Sequence, residues 1–105
     1  ALEFNLRGVV GCISVTANIA AKLCSDFQKA SLDKDNKNSI NKAKELNSKL
    51  MPLHKSLFIE SNPSPVKYAA SLLNLSSEEV RLPLVTVSER TRQEVQKALK
   101  IAKLL

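Results

Sequence analysis

Three residue types in this sequence could carry chemistry: one histidine, two cysteines and a scattered set of lysines. A histidine acting as a general base needs a carboxylate or a nucleophile at a fixed spacing. His54 has neither nearby; it falls among Leu50, Leu57 and Phe58 on an apolar arc, the setting of a packed imidazole satisfied by a carbonyl or a water. Cys12 and Cys24 lie among apolar neighbours with no further Cys or His at metal-ligand spacing, so buried free thiols are expected and no metal. An imine-forming lysine must be desolvated in a closed pocket. Lys22, Lys29, Lys42, Lys49, Lys97 and Lys100 instead sit on the polar sides of helical patterns. Nor does the chain carry a Gly-rich phosphate cradle, paired carboxylates or a Ser/His/Asp set in usable order.

The elements that would position such residues are mostly helical. Ala1–Arg7 reads as an amphipathic helix end closed by Gly8, and with no Met at its start the sequence reads as a piece of something longer. Gly11-Cys12-Ile13-Ser14-Val15-Thr16-Ala17-Asn18 is rich in branched residues and almost continuously apolar, which predicts a strand covered on both faces, with Asn18 capping the next helix. Such a strand needs neighbours, and no other stretch makes a convincing second one. Ile19–Leu32 gathers Ile19, Ala20, Leu23, Cys24, Phe27 and Ala30 on one helical face. The polar loop Asp33–Asn38 leads to a second helix over 39–60, capped by Ser39 and kinked by Pro52, with Leu46, Leu50, Leu53, Leu57 and Phe58 on its stripe. Asn62-Pro63-Ser64-Pro65 stops it and opens a third helix over 63–74. Ser76 and Glu79 have capping-box spacing, predicting one more turn over 77–80. Arg81–Leu84 is expected to cross the apolar surface extended, before Ser88 caps a last helix over 89–104 that buries Val95, Ala98, Leu99 and Ala102.

Composition narrows the partners. The 105 residues make one small domain with an aliphatic core, since Phe4, Phe27, Phe58 and Tyr68 are its only aromatics. A net charge of +6 and a pI of 9.6 could favour an anionic partner. The basic residues are interleaved with Asp and Glu rather than gathered into a stripe with aromatics between, which argues against nucleic acid. No apolar run reaches the roughly 18 residues of a membrane span, and free thiols suit a cytoplasmic location.

Four stretches carry a family resemblance. Gly11–Asn18, the run Lys49-Leu50-Met51-Pro52-Leu53-His54-Lys55-Ser56-Leu57-Phe58-Ile59-Glu60-Ser61-Asn62-Pro63-Ser64-Pro65-Val66-Lys67, Leu82-Pro83-Leu84, and the closing Ala98-Leu99-Lys100 with Leu104-Leu105 resemble dihydrodipicolinate synthase, in order along the chain. The resemblance implies a TIM barrel followed by a C-terminal helical extension. It also implies a lyase that condenses pyruvate with aspartate semialdehyde through a Schiff base, without a cofactor, in lysine and diaminopimelate biosynthesis. A whole barrel takes about 250 residues. The expected fold is therefore mainly α, a helical bundle formed by the last strand and helix of a (β/α)8 barrel and the extension. Residues 1–34 would hold the last helix end, the eighth strand and the eighth helix, and 35–105 the extension. None of the family's catalytic residues matches a position here. Ile13 stands where the family places a residue that contacts pyruvate, largely through its main chain, at the carboxyl end of the eighth strand. The loop over 33–38 is longer than usual, Ala21 replaces a common proline and Ser64 a common aliphatic residue. Related pyruvate-dependent aldolases such as N-acetylneuraminate lyase stay open. So does a helical module without catalysis whose activity is self-association, the isolated chain being expected to form a homo-oligomer through residues 1–15, which would pair with the same segment of a second copy or convert to helix.

Overall fold

The computed structural model describes residues 1–105 and contains five α-helices and no β-strand. These are α1 (Leu2–Leu6), α2 (Ala21–Leu32), α3 (Lys37–Ser56), α4 (Ser64–Leu72) and α5 (Glu89–Ile101), with a 3₁₀ turn at Thr16–Asn18. α3 is the spine. The short loop 33–36 folds α2 back onto it, α5 packs along it, and α4 lies against α5, giving a body of 46 × 24 × 21 Å.

The core is the aliphatic one expected. Leu50 and Leu53 of α3, with Leu57 just beyond its end, meet Phe27 of α2, Tyr68 and Ala69 of α4, and Val95, Ala98 and Leu99 of α5, all buried. α3 runs through Pro52 as one helix, and its stripe keeps phase across the proline. It ends at Ser56, four residues earlier than the periodicity suggests. Phe58 therefore leaves the buried arc and, like Ile59 beside it, is exposed.

Helix ends explain most of the remaining boundaries. The Asn36 side chain accepts from the N–H groups of Asn38 and Ser39, so α3 is capped there rather than by Ser39, whose hydroxyl donates to Asp33 at 2.6 Å. Asn18 does not cap α2; its amide turns back to the Val15 carbonyl, and α2 starts only at Ala21. Ser88 caps α5 as expected, accepting from the Thr91 N–H at 3.4 Å, while its own N–H and hydroxyl donate to Glu60 at 3.0 and 2.9 Å. These donors, with the Thr91 hydroxyl foremost, hold the Glu60 carboxyl below the usual carboxylate range.

Three helices finish alike. In α1, α4 and α5 the third residue beyond the helix reaches back to a carbonyl in its last turn, Val9 to Phe4, Leu75 to Ala70 and Leu104 to Leu99. The residue before each carries the positive φ this needs: Gly8 at 109°, Asn74 at 58° and Lys103 at 56°. The Asn74 ending leaves no helical turn at 77–80: Glu78 there pairs with Arg92 at 2.8 Å, and the guanidinium lies over the Tyr68 ring. Arg81–Leu84 is likewise not an extended cover. It makes a turn closed by Leu84 N–H on the Arg81 carbonyl, with Leu82 exposed.

Candidate functional site

Residues 9–16 join α1 to the helical body, and they are where the expected strand lies. They do not form one. From Val10 to Ser14 no backbone N–H or carbonyl takes part in a hydrogen bond. A strand exists only through its ladder, and no other part of this chain offers one, so the branched residues there express their preference without a partner. Nor do they convert to helix.

Side chains hold the segment instead. Cys12 and Ser14 reach the helices, whereas Ile13 between them projects freely into solvent at 108% of its reference exposure. That alternation is the strand period, kept over three residues. Gln28 of α2 donates from Nε2 to Cys12 Sγ at 3.1 Å. The same amide accepts from Asn5 Nδ2 at 2.7 Å, and Asn5 also donates to the Ser31 hydroxyl at 2.7 Å. Asn5 is thus buried with both amide hydrogens used, while its Oδ1 has no partner. One turn further on, Ser14 Oγ accepts from the Ala17 N–H, and Thr16 Oγ1 lies 2.7 Å from His54 Nδ1.

Between the segment and α2 is a cavity of about 300 Å³, lined among others by Cys12, Ser14, Cys24, Gln28 and His54. Burial pushes the Cys24 thiol up, partly offset by a hydrogen bond with Ser14 and reinforced by neighbouring Cys12. Burial, with the amino-terminal charge added, pulls the His54 imidazole down. Neither group has a carboxylate partner that would make it a base or a nucleophile. Both cysteines are free thiols, but only Cys24 is partly covered; Cys12 is exposed, because the irregular segment covers one side of it only.

The residues singled out in the sequence are therefore near one another without forming a catalytic set. Ile13 lies on the outer side of the segment and His54 behind it, paired with the Thr16 hydroxyl. Thr16, Gln28 and Asn5 were not identifiable as site residues. Their one signal is polarity on an otherwise apolar face, visible for Gln28 and Asn5 beside Phe27 and Phe4. No lysine is buried, and no helix is long and apolar enough to cross a membrane.

The chain is 62% identical over its whole length to the 4-hydroxy-tetrahydrodipicolinate synthase of Pelagibacter ubique and 55% identical to that of Parvibaculum lavamentivorans. It spans 36% and 35% of those proteins, about a third of each. The chloride-inhibited dihydrodipicolinate synthase of Acinetobacter baumannii, solved with pyruvate, superposes with a TM-score of 0.90 at 43% identity, over 100% of this chain and 35% of that one. A monomeric dihydrodipicolinate synthase variant superposes equally well, at 0.90 with 36% identity, over 99% of this chain and 33% of its own. The helical body here is thus the form that this third of the fold takes in such proteins, and residues 1–102 match the Dihydrodipicolinate synthetase family, to which the chain belongs.

Proposed function

We propose that this chain is the C-terminal part of a cytoplasmic lyase that condenses pyruvate with aspartate semialdehyde through a Schiff base, in lysine and diaminopimelate biosynthesis, and that it is inactive alone. In this reading residues 1–34 supply the last helix end, the eighth strand and the eighth helix of a (β/α)8 barrel, and 35–105 the helical extension. Ile13 then sits at the carboxyl end of the eighth strand, facing the barrel axis, and its main chain contacts pyruvate. Active sites of such barrels are built at those strand ends. The observation that carries the reading is the Val10–Ser14 main chain, with every polar group free, one side tethered to α2 and Ile13 bare on the other. A barrel strand whose ladder partners belong to other parts of a longer chain has this form. The imine-forming lysine belongs to one of those parts, since no lysine here is withdrawn from water.

Borohydride reduction in the presence of pyruvate tests this directly. The complete enzyme should gain one reduced pyruvate adduct by mass, and the 105-residue chain none. An adduct on any lysine between Lys22 and Lys103 would overturn the assignment. The relatives favour the synthase over N-acetylneuraminate lyase, and turnover of the complete enzyme with aspartate semialdehyde as second substrate would separate the two.

A second reading, self-association, is favoured by the exposed row Phe4, Leu6, Val9, Val10 and Ile13. In isolation those residues would pair with the same segment of a second copy, giving a symmetric dimer or larger assembly. Sedimentation should then report a mass above that of one chain, falling to the monomer in Ile13→Asp. A monomer at high concentration for the unaltered chain would dispose of it.

A further inference from the structure

We propose that His54, through Thr16, and Gln28, through Cys12, are positioning residues for the Ile13 main chain, so that the helical extension sets how well pyruvate is held. The inference rests on the assignment of Ile13 to the pyruvate site, and goes beyond it by giving α3 a part in substrate binding.

The segment carrying Ile13 has no main-chain hydrogen bond from Val10 to Ser14, so its place on the body depends on side chains at either end. Upstream, Gln28 donates to Cys12 at 3.1 Å and is itself fixed by buried Asn5 at 2.7 Å. Downstream, Thr16 is 1% exposed and its hydroxyl is 2.7 Å from His54 Nδ1. Sulfur is a weak acceptor, so the Thr16 tether is the stronger of the two. It also falls where a strand's own ladder gives out, since the chain turns into the 3₁₀ helix at Thr16. A ladder would fix Ile13 from its sides; these tethers fix it from behind. Displacement of a substrate-contacting main chain by a fraction of an ångström weakens binding without abolishing the chemistry, which resides on other strands.

The test is steady-state kinetics of the complete enzyme with both substrates, beside melting temperatures. Thr16→Val and His54→Leu should each raise the KM for pyruvate by about three- to tenfold, the range one hydrogen bond spans, and leave the KM for aspartate semialdehyde unchanged. Thr16→Ser and His54→Asn, which keep a polar atom near the original position, should return the KM towards the wild-type value. Gln28→Leu should act in the same direction and less. An unchanged KM for pyruvate in Thr16→Val would overturn the proposal. So would a parallel rise of both KM values that tracks a lower melting temperature, as a merely structural contact predicts. Should Thr16→Val not fold, His54→Leu against His54→Asn decides by the same criteria. If the wild-type enzyme itself traps no pyruvate with borohydride, the Ile13 assignment falls first, so the two failures are distinguishable.

Discussion

Residues 1–15 and the helices after them draw on similar apolar side chains and use them in opposite ways. In the body, Leu50, Leu53, Leu57, Val95 and Leu99 close on one another and leave 1% or less of their surface in water. In the amino-terminal segment Phe4, Val10 and Ile13 are 66, 87 and 108% exposed. The polar groups follow the same division. Helix ends in the body are satisfied by Asn36, Ser88 and the reversed carbonyl contacts at Asn74 and Lys103, whereas the main chain from Val10 to Ser14 pairs with nothing. Helices satisfy their own backbone and need only a stripe to pack, so four of them can complete each other. A strand satisfies nothing by itself, and its quality as structure belongs to whatever lies beside it.

The largest test of this contrast is a pair of truncations. Leu53→Ala or Leu99→Ala should destabilise the chain by about 2–5 kcal/mol in urea unfolding, as fully buried leucines do. Ile13→Ala should stay within about 0.5 kcal/mol, as exposed positions do. A comparable loss at Ile13 would mean that the segment is packed in solution, and the contrast would collapse.

His54 joins the two regions, and its effect should be intermediate. Replacing it with Leu should cost at most about 1–2 kcal/mol, the consequence of leaving the buried Thr16 hydroxyl without its partner. Its imidazole is held below the ordinary 6.5 by burial first, so the folded state binds fewer protons than the unfolded one just below that pH. The associated stability is present in full above about pH 6.5 and lost as pH falls through the lowered folded value. Urea midpoints at successive pH values should show this loss in the unaltered chain and a smaller one in His54→Asn; equal slopes would place the titration elsewhere.

The smallest effect belongs to the body alone. Lys103 takes a left-handed conformation that favours glycine, at φ 56°. Lys103→Gly should stabilise by about 0.5 kcal/mol, the relief of that strain less the added freedom of the unfolded chain. A destabilised variant would show that the lysine side chain matters more than its backbone angle.

How much of this was legible follows from the same physics. The stripes of α2, α3 and α5 were readable because burial repeats with the helical period, and Ser88 because a cap is a local event. Asn36 was missed as the cap of α3 because Ser39 has an equally good side chain and is diverted by Asp33, a contact no spacing reveals. Phe58 was misplaced because a periodic pattern does not announce where its helix stops. The strand preference at 11–15 was real as a propensity and wrong as a structure here, since no other stretch of this chain supplies a ladder. Ile13 is the extreme case: nothing in its own type distinguishes it from a packing residue, and only family resemblance gave it a role. The Thr16–His54 contact, joining residues 38 positions apart, had no signal in the sequence at all.

The bare main chain of the amino-terminal segment also has a spectroscopic side. Amide hydrogens that donate to no acceptor trade with deuterated water as fast as those of an unstructured peptide, whereas the same hydrogens inside a ladder are retained until it opens. In this chain the N–H groups from Val10 to Ser14 donate to no acceptor and should exchange at the fast limit, while those within α3 and α5 donate into helical turns and should be retained. The isotope pattern of five consecutive residues is therefore a built-in gauge of enclosure, silent while the segment stands open and slowed as soon as another strand settles against either edge.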